Sequence, residues 1–336
     1  MADPFRFTLR QLENFVAIVE HGSISAAARA LNLSQAAVSE SLAGLERAAG
    51  SQLMVRSRTH GVTLTSAGTR ILAETRSLIA RAVELQVSMD ERTGELAGPL
   101  AIGLYRASSP FWMPFIAAEF ITAHSGLTVS TVEGNGQELQ RRLLAGQLDA
   151  VITHSNHLVD GTRNVMIGPG HGYIAVAADH PLALAGRESA SFAELAGEDY
   201  VLLDVEWVRD HQMPRLRAAG LNPRVRWRSA DLETVRGLIA RGLGWSVLVQ
   251  RPPVASSYEG RGLAYLEVED PYRASDICIA YGAGEPSARV RALISACVAE
   301  GRRRAAAEGY RDEVVDWIGR PVEGAPDPRG PRASRR

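Results

Sequence analysis

Apolar positions in the first ninety residues recur at helical spacing. Leu9, Leu12, Val16 and Val19 form one stripe, and Thr8 with Gln11 has capping-box spacing, which predicts a helix over 8–20 ended by Gly22. Ser23 begins a second short helix with Ile24, Ala27, Ala28 and Leu31 inward. After the Asn32-Leu33 link, Ser34 caps a third helix whose Val38, Leu42 and Leu45 face the core, ending at Gly50. This succession describes a helix-turn-helix over about 23–42, in which Ala26, Ala27, Ala28 and Ala30 let the helices approach closely. Gln52–Val55 and Gly61–Leu64 are extended stretches around the polar Arg56-Ser57-Arg58-Thr59-His60, a small wing. Thr65 then caps a long helix over 66–92. Its Ile71, Thr75, Leu78, Ala82, Leu85 and Met89 step by four and three, a seam that wants a partner helix. Ile71, Leu78, Ala82, Leu85 and Met89 are therefore the candidate dimerisation residues.

From Leu100 the texture changes to strands alternating with helices, which predicts an α/β region with mostly parallel pairing. Strands are expected at 100–104, 127–132, 148–153, 174–177, 200–204, 245–250 and 277–281. Helices are expected after Ser109-Pro110, from Asn135 to Ala145, at Ser191-x-x-Glu194, and over 212–219, 231–241 and 288–300. The region is large for one sheet, so two lobes are expected: lobe I over 96–153 and 267–300, lobe II over 162–262, linked near 153–161 and 262–266. The run Gly168-Pro169-Gly170-His171-Gly172 lacks the strand-glycine-helix setting of a nucleotide loop and reads as a turn. Residues 301–336, rich in Arg, Pro and Gly, are expected to be a largely disordered tail, with a short helix over 311–318 as its one structured option.

Composition narrows the classes. Of 336 residues, 46% are hydrophobic and 22% charged, which excludes wholesale disorder. No apolar run reaches membrane-spanning length and Met1–Leu12 has no signal-peptide pattern, so a cytoplasmic protein with no membrane partner is expected. Every cation is an arginine. Net charge is +1 over 1–65, −5 over 93–300 and +3 over 301–336. Two cysteines, Cys278 and Cys297, build no disulfide framework and have no metal-ligand spacing around them. No catalytic or metal-binding constellation stands out, and no cofactor is expected.

The stretch Leu9-Arg10-Gln11-Leu12-x-x-Phe15-Val16-Ala17, Gly22-Ser23-x-x-x-Ala27-Ala28-x-x-Leu31-x-x-Ser34-Gln35-x-x-Val38-Ser39-x-x-Leu42-x-x-Leu45-Glu46, continuing through Leu53-x-x-Arg56 and Leu64-Thr65-x-x-Gly68, resembles the LysR-type transcriptional regulators. Gly146-Gln147-Leu148-Asp149-Ala150-Val151-Ile152, His180-Pro181-Leu182-Ala183 and Ala240-Arg241-Gly242-Leu243-Gly244 look like that family's effector domain. The resemblance spans about 7–300. It implies a winged helix-turn-helix domain (7–65), a dimerising linker helix (66–92), and a two-lobed periplasmic-binding-protein-like α/β domain (96–300) that binds a small organic effector. Double-stranded palindromic promoter DNA, a second copy of the chain in a dimer or tetramer, and RNA polymerase are the implied partners. This chain departs from the family at Ala36, where many members carry Pro, and at Glu40, where many carry Arg.

Ser34, Gln35, Ala36, Ser39 and Glu40 stand at the start of the third helix, the end that enters the major groove in this motif. Gln pairs with adenine, Ala touches a thymine methyl, and Glu accepts from cytosine N4. Arg56 and Arg58 on the wing, with Arg29, are candidate phosphate contacts; plain solvated charge is the alternative. Effector candidates are Ser108 and Ser109 before one helix and Asn135 and Gly136 at the start of another. Thr153 and His154 at the first hinge, with Leu203, Asp204 and Val205 at a strand end in the other lobe, complete the set. A simple helix cap is the alternative reading of Ser108 and Ser109. Open α/β sheets bind ligands where strand ends and helix starts converge, so a carboxylate between the lobes is expected. Trp207, Trp227 and Trp245 read as core or rim aromatics, and both cysteines as small buried hydrophobes. A solute-binding receptor without a regulatory role is the alternative function; the fused helix-turn-helix argues against it.

Overall fold

The computed structural model describes residues 6–57, 61–89, 96–205, 208–272, 274–310 and 312–322. Helices α1 (Leu9–His21), α2 (Ile24–Ala30) and α3 (Gln35–Ala49) form the amino-terminal head, followed by the antiparallel pair β1 (Met54–Ser57) and β2 (Gly61–Leu64). Local chemistry sets each helix start. Thr8 and Gln11 close a capping box, Ser23 accepts from the Ala26 N–H, and Ser34 accepts from the Ala37 N–H at 3.1 Å. The inward faces meet in one core of Leu12, Phe15, Ile18, Ala27, Val38, Leu42 and Leu45. Helix α4 (Ser66–Met89) follows, its first turn tied down by Thr65, whose hydroxyl accepts from the Gly68 N–H. Gly68 must be glycine: a Cβ there would lie 2.1 Å from the Leu53 carbonyl oxygen.

The chain divides into two units. The first holds Met1–Thr153, His157–Asn164 and Ile279–Ala296; the second holds His154–Asn156, Val165–Cys278 and Cys297–Arg336. In the first, β3 (Gly98–Tyr105) lies between parallel neighbours β4 (Leu127–Gly134) and β5 (Ala150–His154). Helix α5 (Ser109–Phe115), which runs on through a wider turn at Ile116–Ile121, connects β3 to β4, and α6 (Gly136–Leu144) connects β4 to β5. The five-stranded order is completed by β13 (Ile277–Gly282) and β6 (Thr162–Gly168).

The second unit is mixed rather than mostly parallel. Strand β7 (Gly172–Ala177) pairs antiparallel with both β11 (Ser246–Val249) and β12 (Leu263–Val268), and β12 pairs parallel with β8 (Ser189–Ala190). Strand β9 (Asp199–Leu203) pairs parallel with β10 (Arg224–Ser229). Short helices α7 (Pro181–Leu184), α8 (Phe192–Leu195) and α9 (Met213–Ala218) and the longer α10 (Leu232–Ala240) cover the strands. Both faces of β7 are buried: Ile174 and Val176 pack with Phe192, Tyr200 and Trp245, while Tyr173 and Ala175 pack with Val235 and Ile239 of α10. A strand covered on both sides reads as a continuous apolar run.

Two expectations need correction. The second link between lobes does not fall at 262–266, because those residues belong to β12 inside the second unit's sheet; the return crossing comes at Cys278–Ile279. The tail is not disordered from residue 301. Helix α11 (Ala288–Ala307) continues past it and α12 (Asp312–Trp317) follows. Val314 and Ile318, four apart, bury against Met166, Ala305 and Tyr310, while Met166 donates to and accepts from the backbone of Arg320 and Gly319. Arg302 donates to the Ile318 carbonyl, and Arg303 and Arg304 pair with buried Glu300, so this arginine run is structural. Residues 323–336, including Arg335 and Arg336, lie outside the described residues.

Candidate nucleic-acid interface and effector site

On α3 the sequence fixes what faces out by fixing what faces in. Val38, Leu42 and Leu45 are buried in the head, so Gln35, Ala36 and Glu40 are exposed and Ser39 is half-buried. Ser34 is exposed at the cap, with one lone pair committed to Ala37. Asn14 of α1 donates from Nδ2 to Ser41 Oγ at 2.8 Å and sets the roll of α3 against α1. Glu46 accepts from the Leu53 and Met54 amides at 2.8 and 3.2 Å, tying the base of the wing to α3. Val62 donates to the Gly22 carbonyl and ties the other wing strand to the end of α1. Arg56 lies on β1 opposite Val62, Arg29 is exposed at the end of α2, and Arg58 lies outside the described residues.

The linker residues separate into two sets. Leu72 and Thr75 are buried and Ile71 packs on the head's core, so Ile71 serves the protomer itself. Leu78 and Leu85, one heptad apart, are 42% and 58% exposed, with Ala82 half-buried between them. Met89 ends the helix.

The carboxyl ends of β3, β4 and β5 carry the first group of effector candidates. Ser108 and Ser109 are both buried. Ser109 is the first residue of α5, not its cap, and its hydroxyl donates to the Glu133 carboxylate. Asn135 caps α6, accepting from the Glu138 N–H at 2.8 Å. A Cβ on Gly136 would lie 2.4 Å from Cγ of His157, so the absence of a side chain lets the imidazole rest on the first turn of α6. Thr153 Oγ1 lies 2.8 Å from Nδ1 of that ring, and Tyr105 meets it edge-on at 4.6 Å. Burial pushes the Tyr105 phenol up to about 12, so it is a neutral hydroxyl at physiological pH. Tyr105, Glu133 and His157 were not singled out from sequence. Their one signal was position, at or just after the ends of strands β3, β4 and β5.

The second unit holds the remaining candidates. His154 is buried with its pKa lowered to about 4, chiefly because burial disfavours the imidazolium; Nδ1 lies 3.3 Å from the Ser275 carbonyl oxygen. Leu203, the last residue of β9, and Asp204 and Val205 just after it are half-buried. The Asp204 amide donates to Ser229, and its carboxylate accepts from Arg209 at 2.7 Å, so its charge is already answered. Trp245 is buried and donates to the Leu195 carbonyl, Trp227 is partly exposed on β10, and Trp207 lies outside the described residues. The Gly168–Gly172 run is a connection between β6 and β7, with the Gly170 amide donating to Asp276. Cys278 and Cys297 are fully buried; desolvation raises both thiols, Cys297 to about 12. Among the described residues no helix is long and apolar enough to cross a membrane.

A winged helix-turn-helix head carried on a long helix, fused to a two-unit α/β domain, defines an effector-responsive DNA-binding regulator. The family models agree over nearly the whole described chain. Residues 9–69 match the bacterial regulatory helix-turn-helix protein, lysR family, and residues 93–302 match the LysR substrate binding domain. The chain belongs to the LysR family of transcriptional regulators. It is 30% identical over 312 residues to the DNA-binding transcriptional dual regulator OxyR of Escherichia coli, covering 91% of this chain and 98% of that one. It is 29% identical over 280 residues to the hydrogen peroxide-inducible genes activator of Pectobacterium carotovorum, covering 83% and 91%. Among solved structures it resembles HinK, a LysR family regulator from Pseudomonas aeruginosa, with a TM-score of 0.58 and 27% identity over 88% of this chain and 98% of that one.

Proposed function

We propose that the protein binds promoter DNA as a dimer and responds to a small organic molecule rather than to thiol oxidation. The observation that carries the DNA reading is the outward face of α3. Gln35, Ala36 and Glu40 are exposed on a helix whose cap and roll are fixed by Ser34 and by the Asn14–Ser41 hydrogen bond. Ser34 and Ser39 flank that face. Arg29, Arg56 and Arg58 supply phosphate contacts that position the head without reading sequence. The exposed Leu78 and Leu85, with Ala82 between, form a stripe that a second α4 covers. Two heads related by a two-fold then read half-sites about one helical turn apart.

For the effector, the buried Ser108 and Ser109, the α6 start at Asn135 and Gly136, and Thr153 with His157 gather at the ends of three parallel strands, where such sheets take ligands. His154, Leu203, Asp204 and Val205 are the second unit's contribution to the proposed response. The Pectobacterium relative is described as an activator of hydrogen peroxide-inducible genes. Peroxide sensing by cysteine needs an accessible thiolate. Burial here holds Cys278 and Cys297 in the unreactive thiol form.

The test is an electrophoretic shift with the duplex upstream of the protein's own gene, run with and without millimolar peroxide. A sequence-preferring shift unchanged by peroxide is expected. No preference over scrambled duplex overturns the DNA reading, and a peroxide-dependent change overturns the effector reading.

A further inference from the structure

The linker helix is more than a dimerisation rod. Arg76, one of its central residues, has a side chain only 10% exposed and holds two acceptors at once. One terminal nitrogen, Nη1, donates to the Ala145 carbonyl at 2.8 Å; the other, Nη2, donates to Glu20 Oε1 at 3.3 Å. Glu20 stands in the last turn of α1, in the DNA-binding head. Ala145 is the carboxyl cap of α6, whose other end carries Asn135 and Gly136. The two contacts differ in weight. Glu20 is 54% exposed, so its pairing is screened by solvent. The Ala145 carbonyl is one of the oxygens a helix leaves unpaired at its end, where a cation also meets the negative pole of the dipole.

Packing makes this junction close. At Gly146 (φ +63°), a Cβ would lie 3.0 Å from the Arg76 Cβ and 3.4 Å from the Ala73 carbonyl oxygen. Further along, Val83 of α4 approaches Gly98 at the start of β3, where Arg289 also donates to the Ala97 carbonyl. Helix α4 is thus seated against the same unit that carries the Ser108–Ser109 and Asn135–Gly136 effector candidates. All these residues belong to the first unit.

We propose that Arg76 is the coupling residue of this regulator: through its forked guanidinium, the α6 rod that starts at Asn135–Gly136 and the α1 end of the DNA head respond to each other. The proposal rests on the reading that the Asn135–Gly136 end of α6 serves the effector site. A shift of α6 by a ligand at its start moves the Ala145 carbonyl, and the guanidinium, shared with Glu20, transmits that movement to the head. Two-site coupling is reciprocal, so DNA must in turn act on α6. Arginine is required because its planar fork serves two acceptors in fixed directions, which a lysine ammonium does not reproduce.

Reciprocity allows a test without a known effector. Hydrogen exchange is followed by mass spectrometry on the full chain, with and without the duplex upstream of its own gene. In the wild type, DNA is expected to slow exchange over α3 and, several-fold, over residues 136–147. Arg76→Ala and Arg76→Lys are each expected to lose the slowing at 136–147 while keeping that over α3; the lysine variant guards against a folding defect in the alanine one. Glu20→Gln, which keeps an acceptor, is expected to retain most of the response. Undiminished slowing at 136–147 in both Arg76 variants overturns the coupling. So does a wild type that binds the duplex with no change there. A wild type that shows no preference for the duplex overturns the functional reading as a whole.

Discussion

Thr153 Oγ1 and His157 Nδ1 lie 2.8 Å apart at the end of β5, and this hydrogen bond holds the imidazole over the first turn of α6. The ring fits because residue 136 is glycine. Gly136→Val is therefore expected to displace His157. The cost is about 1–3 kcal/mol of stability, the range for overpacking a filled site, read as a lower midpoint in urea. The same variant should abolish thermal stabilisation by any carboxylate found to protect the wild type in a shift screen. Unchanged stability and unchanged protection would place the effector elsewhere.

On α3, Gln35 is exposed and has an alanine neighbour in Ala36. Gln35→Ala is expected to weaken binding to the preferred duplex by about 1–3 kcal/mol while non-specific binding and the salt slope stay nearly constant. Glu40→Gln removes an exposed acid from the proposed DNA-facing side of α3, and it should strengthen binding to scrambled duplex. Fluorescence anisotropy against both duplexes at several salt concentrations distinguishes these outcomes. Equal loss on both duplexes in Gln35→Ala would remove that residue from base recognition.

Leu78 and Leu85 are exposed along one side of α4, whereas Ile71 packs on the head. Leu78→Asp should place an unpaired charge in the proposed dimer seam and give monomers by light scattering with the fold retained. Ile71→Asp should instead destabilise the head, visible as a lowered Tm. A Leu78→Asp protein of unchanged mass would exclude this seam.

Burial lowers the His154 pKa from 6.5 to about 4. Between those values the unfolded chain binds more protons, so the stability due to neutral His154 is complete above about 6.5 and is lost as the pH falls towards 4. By pH 5 the loss amounts to about 2 kcal/mol. Urea unfolding at pH 7 and pH 5 should show His154→Gln losing less stability than the wild type over this interval. Equal losses would mean that the histidine titrates normally in the folded chain.

The sequence by itself determined the head and the class of the protein. Helix periodicity and caps are interactions between residues three and four apart, so Thr8 with Gln11, Ser34 with Ala37, and the Val38-Leu42-Leu45 face were legible without any partner. The order and spacing of residues from Leu9 to Gly68, Gln35 and Ser39 among them, identified the motif. Strands were less legible, because what pairs with a strand is decided far away. Strand β10 reads Arg-Val-Arg-Trp-Arg-Ser, with most of its side chains exposed, and shows no inward face until β9 lies beside it. Strand β12 looked like a hinge until β7 claimed it.

Tertiary structure alone decided the rest. Met166 gave Val314 and Ile318 something to bury against, turning an arginine-rich tail into a folded cap. It brought His157 onto Gly136, over twenty residues away in the chain, and Arg76 onto Ala145, sixty-nine residues away. It also split Thr153 and His154, adjacent in sequence, between two units, one hydroxyl beside a histidine and one imidazole stripped of water. Burial and pairing of this kind depend on which distant surfaces meet, and short-range pattern carries no record of that.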